Sequence, residues 1–179
     1  MKETSRPSRI AVFGSALAGA ESDEYRAARE IGELIGKAGW EILCGGYGGV
    51  MEAVCLGCRK AGGTSRGIGL EHFTHPHNRY LAGFVKAKTL GERLDYFIAN
   101  CDLFLALEGG IGTVTEAMFV WDLMKSGQLP GRRLLLYGKS WEQLLLILKE
   151  NFLIPADAFD PLILLARPTD LVRYLSRTV

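Results

Sequence analysis

Residues Leu107 to Glu116, LEGGIGTVTE, set three glycines and two threonines between an apolar run that reads as a strand and one that reads as a helix. Glycine has no Cβ and tolerates positive φ, so the N–H groups of Gly109, Gly110, Gly112 and Thr113 can turn toward a common centre. A helix start adds partial positive charge at the same point. A phosphate fits such a cradle without a lysine, with the Thr113 hydroxyl as a further donor. The segment lacks the Gly-Lys-Ser/Thr ending of a P-loop and does not match G-x-G-x-x-G. Its letters also read as helix capping, because Thr113-Val114-Thr115-Glu116 has capping-box spacing. One cap, however, needs neither three glycines ahead of it nor a second cluster such as Gly45-Gly46-Tyr47-Gly48-Gly49. The two readings are compatible: the loop starts a helix and uses that start to hold phosphate.

The elements around these loops alternate. Arg9–Gly14 (RIAVFG) is a short apolar run ending at glycine, the pattern of a strand buried on both faces. Ser22 caps a helix with Asp23 and Glu24 in its first turn, and Tyr25, Ala28, Ile31, Leu34 and Ile35 recur at helical spacing until Gly39. Glu41–Cys44 reads as a strand and VMEAVCLGCRK as a helix whose Arg59 and Lys60 suit its C-terminal end. Thr64–Leu70 and Phe84–Lys88 are weaker strands, separated by the irregular stretch EHFTHPHNRY. LGERLDYFIAN is a helix, Cys101–Leu107 a central strand, and the helix after the glycine loop runs to about Lys125. Arg133–Gly138, a helix from Ser140 to about Asn151, Leu162–Ala166 and a helix starting near Thr169 follow. Strands alternating with helices predict a single domain, 1–179, with a three-layer Rossmann-like α/β fold: a mainly parallel sheet with helices on both faces. In such sheets ligands bind outside the carboxyl ends of the strands. That is where Gly14-Ser15, Gly45-Gly46 and Gly109-Gly110-Ile111-Gly112 all fall, which makes them the candidate binding loops.

Composition narrows the partners. The chain has 21 Lys plus Arg against 20 Asp plus Glu, so no global field draws it to nucleic acid or to an anionic membrane. No run approaches the roughly 20 apolar residues of a membrane span, and Met1–Ile10 lacks a signal peptide's apolar centre. A cytoplasmic protein is expected. Cys44, Cys55, Cys58 and Cys101 lie in apolar segments, as buried thiols of a reducing compartment would. His72, His75 and His77 cluster in the irregular stretch, which reads as a flap over the ligand site ending at Arg79, and not as a metal centre. No lysine is marked for pyridoxal phosphate, so no cofactor is expected.

The motifs together resemble the LOG (Lonely Guy) family of cytokinin riboside 5′-monophosphate phosphoribohydrolases, long labelled lysine decarboxylases. Glu108 to Glu116 is similar to that family's P-G-G-x-G-T-x-x-E motif, and GGYGGVMEA to its G-G-G-x-x-G-x-M motif. Arg93 falls on the arginine of its Arg-Lys pair, and Trp121 on a tryptophan of the helix after the glutamate. Leu94 stands in place of the family's lysine and Glu108 in place of its proline. The likeness runs from about Ile10 to Ile147. It implies a homodimer that binds a nucleoside 5′-monophosphate, or a related phosphorylated small molecule, with phosphate on the glycine loop. It also implies catalytic roles for Arg93 and Glu116 in releasing free base and ribose 5-phosphate. A non-catalytic carrier of a nucleotide or molybdenum cofactor on the same fold is the alternative.

Overall fold

The strands lack polar alternation because both of their faces are covered. In β1 (Arg9–Phe13), Ile10 and Val12 enter one core while Ala11 and Phe13 enter the other. The same division holds in β2 (Glu41–Cys44), where Ile42 and Cys44 oppose Leu43. The structure, a computed structural model, describes residues 7–176, so the first six residues of the polar leader lie outside it. The remaining strands are β3 (Ser65–Leu70), β4 (Gly83–Ala87), β5 (Leu103–Ala106), β6 (Leu134–Tyr137) and β7 (Leu162–Leu165). All pair in parallel in the order β4-β3-β2-β1-β5-β6-β7, with Ala11 of β1 level with Leu43 of β2 and Phe104 of β5. The order reverses between β1 and β5, which is the switch point where open α/β sheets gape at their carboxyl ends.

Helices α1 (Asp23–Lys37) and α2 (Gly49–Lys60) cover one face. Ser22 caps α1 as expected, its side chain accepting from Tyr25 N–H at 3.1 Å, and Gly39 follows its C-terminus at φ +76°. The two helices lie close enough that a Cβ on Gly32 would sit 2.0 Å from Val54 O, and one on Gly57 2.0 Å from Arg29 O. The other face carries α3 (Leu90–Asn100), α4 (Ile111–Lys125) and α5 (Lys139–Asn151), around Phe13, Phe97, Phe104, Trp121 and Trp141.

Two expectations are corrected. The helix expected from Thr169 is a 3-10 turn, Pro168–Leu171, followed by a single α-turn, α6 (Val172–Leu175). The capping box at Thr113–Glu116 does not form either. Helix α4 begins three residues earlier than that box requires, with Gly110 as its N-cap and no side-chain cap, and Glu116 turns inward. Among the described residues, no helix is long and apolar enough to cross a membrane.

Candidate functional site

Three loops meet at the carboxyl ends of β1, β2 and β5. Ser15 N–H donates to Glu108 O at 3.2 Å, and Ser15 O accepts from Val50 N–H at 2.8 Å. Ser15 therefore ties the start of α2 to the loop after β5, while its Oγ accepts from Leu17 N–H. Gly14 lets α2 pack on this corner, since a Cβ there would lie 2.4 Å from Val50 Cγ1. A Cβ on Gly109 would lie 2.2 Å from Thr113 Oγ1 and 3.0 Å from Ser15 N, so Thr113, 4 % exposed, folds back over its own loop. Gly110 and Gly112 differ, because a Cβ on either would meet nothing within 4 Å. The packing of this chain does not demand glycine there, and the loop's outer side is open. Neither α2, with Gly48 as N-cap, nor α4 has a side-chain cap, so first-turn N–H groups are left without intrahelical acceptors.

Arg93 and Glu116, 23 residues apart in the chain, form a buried ion pair beside these loops. Arg93 Nη2 donates to Glu116 Oε1 at 2.5 Å, with the two side chains 11 % and 7 % exposed. The arginine is set by the start of α3. There Thr89 Oγ1 accepts from Glu92 N–H, and the Glu92 carboxylate reaches back to Lys88 N–H. Its guanidinium lies 5.8 Å from the Phe97 ring centre and directly over Gly45, where a Cβ would sit 2.8 Å from Nη2. Arg93 Nε is buried with no hydrogen-bond partner. Burial pushes the Glu116 carboxyl up to about 7, and the attraction of Arg93 offsets only part of that rise. A group with such a pKa exchanges protons readily at neutral pH.

The two motif departures have structural accounts. Leu94, 5 % exposed, points into the protein, where a lysine ammonium would be desolvated. Glu108 turns away from the glycine loop, its Oε1 accepting from both the N–H and the Oγ–H of Ser140, each at 3.0 Å. Trp121 serves the core, donating from Nε1 to Ala158 O at 2.6 Å and packing on Phe159.

The histidine stretch does not converge. His77 stacks on Phe84, while His72 meets Phe73 edge to face, and Phe73 in turn packs against Tyr47. Sequence reasoning missed Asn78, which is buried and pins this stretch to the second glycine cluster. Its N–H donates to Gly46 O at 2.9 Å and its Nδ2 to Tyr47 O at 3.1 Å. Gly46, at φ +79°, supplies the turn that presents that oxygen. Arg79 pairs with the neighbouring Tyr80 hydroxyl at 2.9 Å, and its carbonyl accepts from Arg59 of α2. The four cysteines are buried thiols, with Cys44 Sγ 3.6 Å from Cys55 Sγ.

The fold and these loops define a Rossmann-like α/β protein with an Arg–Glu pair beside the switch point. The chain belongs to the SLOG cluster4 family, whose sequence profile matches residues 7–129, in agreement with the LOG resemblance of its motifs. Over 118 residues, 63% of the chain, it is 30% identical to a cytokinin riboside 5′-monophosphate phosphoribohydrolase of Mycobacterium marinum. It is 33% identical over 97 residues, 54% of the chain, to an uncharacterized protein of Archaeoglobus fulgidus. These matches span 61% and 63% of the respective relatives' own lengths. Among solved structures, the fold is similar to that of the molybdenum cofactor binding protein of Rippkaea orientalis. That likeness has a TM-score of 0.74 at 22% identity and covers 96% of this chain and 97% of the other.

Proposed function

We propose that the protein hydrolyses the N-glycosidic bond of a purine nucleoside 5′-monophosphate, with or without an N6 substituent, to free base and ribose 5-phosphate. The observation that carries this reading is Glu116, a buried carboxyl raised to about 7 and held by Arg93, one helical turn beyond an uncapped glycine loop. Phosphate sits on the N–H groups of Gly110, Ile111, Gly112 and Thr113, over Gly109, with Gly14, Ser15, Gly45 and Gly46 framing the ribose side. Departure of the base develops positive charge on the ribosyl ring, which the ionised Glu116 stabilises while orienting the attacking water. Water supplies hydroxide to the anomeric carbon and a proton to the departing base. Arg93 holds substrate oxygens as a rigid fork of donors, and its unpartnered Nε–H gains an acceptor when substrate binds. No cofactor enters these steps. The name of the Mycobacterium marinum relative supports the reaction class.

We place the protein as a homodimer. Helix α4 is apolar on its outer side as well as its inner side, with Ile111 83 % exposed and Met118 and Phe119 partly so, and a helix apolar all round calls for cover. A monomeric sedimentation profile at micromolar concentration refutes this.

A second reading, a non-catalytic carrier, is favoured by the near-complete overlap with the molybdenum cofactor binding protein, which is broader than the partial match to the named hydrolase. Incubation with AMP and with an N6-substituted AMP separates the two. Equimolar base and ribose 5-phosphate support the hydrolase. AMP-dependent thermal stabilisation with no base released from either nucleotide supports the carrier.

A further inference from the structure

Glu108 is the acidic residue at the mouth of the glycine loop, where a carboxylate facing a bound phosphate would repel it. Its contacts direct it elsewhere. The side chain crosses to the start of α5, whose N-cap Gly138 adopts φ +126°, and a Cβ on that glycine would sit 2.1 Å from Glu108 Cγ. There Oε1 accepts both donors of Ser140, and the positive end of α5 favours the negative charge. The adjoining backbone is fixed as well. Glu108 O accepts from Ser15 N–H, Leu107 N–H donates to Phe13 O at 2.9 Å, and Leu107 O accepts from Trp141 Nε1 at 3.2 Å. The two residues immediately before Gly109 are thus held by β1, by the loop after it and by the first turn of α5.

We propose that Glu108 is a positioning residue that tethers the glycine loop to α5 and so holds the N–H groups of Gly109–Thr113 in place for an anion, an inference that rests on the phosphate-loop reading. A glycine-rich segment has more conformational freedom to lose than any other. Fixing its leading end before ligand arrives removes part of that cost from binding. The carboxylate does this across 32 residues of sequence, by reaching Ser140 at the start of α5.

Amide hydrogen exchange on the full chain tests the tether directly, with wild type, Glu108→Ala and Glu108→Gln. In Glu108→Ala, exchange across residues 109–115 rises about tenfold, and AMP affinity measured calorimetrically falls about tenfold. Glu108→Gln stays within about twofold of wild type in both, because its amide oxygen still accepts from Ser140. If Glu108→Ala fails to fold, Ser140→Ala removes one of the two donors and gives a roughly threefold effect in the same direction. Faster exchange confined to the first turn of α5, with the loop unchanged, overturns the proposal and leaves Glu108 as a helix cap alone. Unchanged AMP affinity in Glu108→Ala alongside normal wild-type binding overturns it too. Wild type that binds no AMP, together with faster loop exchange in Glu108→Ala, overturns the phosphate reading while supporting the tether.

Discussion

Stability should fall as pH rises through neutrality, and Glu116 should be a main cause. Its carboxyl titrates at about 7 in the folded protein against 4.5 for an unperturbed glutamate. Between those values the folded state holds the proton more often than the unfolded chain does. The contribution of this group to stability is therefore greatest below 4.5 and is lost as pH climbs through about 7. For one site with these two values, the loss between about pH 5 and about pH 8 comes to about 2.5 kcal/mol. Other groups titrate over the same range, so the useful quantity is a difference of differences. Urea unfolding of wild type and Glu116→Gln at both pH values supplies it, since glutamine cannot ionise and keeps an oxygen for Arg93. The pH-independent cost of altering the pair cancels. The gap between the two proteins should move by about 2.5 kcal/mol against the wild type on going to the higher pH. A movement under about 0.5 kcal/mol would show that the carboxyl titrates in its ordinary range. A movement of opposite sign would show that Arg93 outweighs burial.

Three further substitutions probe the surroundings. Gly45→Ala places a methyl 2.8 Å from both Arg93 Nη2 and Met51 Sδ. It should displace the guanidinium, lowering base release about 100-fold while costing about 1–3 kcal/mol in urea unfolding. Glu41, 6 % exposed at the amino end of β2, accepts from Arg9 Nε and from Arg66 Nε. Glu41→Ala removes the carboxylate both guanidinium groups share, leaving Arg9 to Asn100 and the half-exposed Arg66 to water, and should cost about 1–3 kcal/mol by urea denaturation, far from the site. Asn78→Ala removes the side-chain bonds to Tyr47 O and from Tyr80 N–H. It should cost about 1–2 kcal/mol and make residues 71–80 the first point of limited proteolysis.

The sheet was legible because doubly buried strands write themselves as unbroken apolar runs. Glu41–Cys44 and the helix Leu90–Asn100 were read to the residue. The irregular pieces were not. The helix expected from near Thr169 is cut short, because Pro168 and the reach of Asp170 back to Arg167 N–H favour a 3-10 turn. Thr113-Val114-Thr115-Glu116 has the letters of a capping box, yet the partner that fixes Glu116 is Arg93, on another helix and outside any local window. Arg93 and Glu116 were found through family motifs and not through periodicity. At Glu108, where the family has proline, nothing near it in sequence shows that Ser140 draws the carboxylate aside. Asn78 gave no signal, being one polar residue in a polar stretch until the fold buries it against Gly46 and Tyr47.

The measurement that bears most directly on the central claim is single-turnover release of ribose 5-phosphate from AMP and an N6-substituted AMP, by wild type and by Glu116→Gln, with nucleotide affinity recorded for both. Wild type should release equimolar base and ribose 5-phosphate, and the variant should bind the nucleotide while turning over at least about 100-fold more slowly. Release at equal rates by the two proteins, or bound nucleotide recovered intact from the wild type, would contradict a hydrolase built on Glu116.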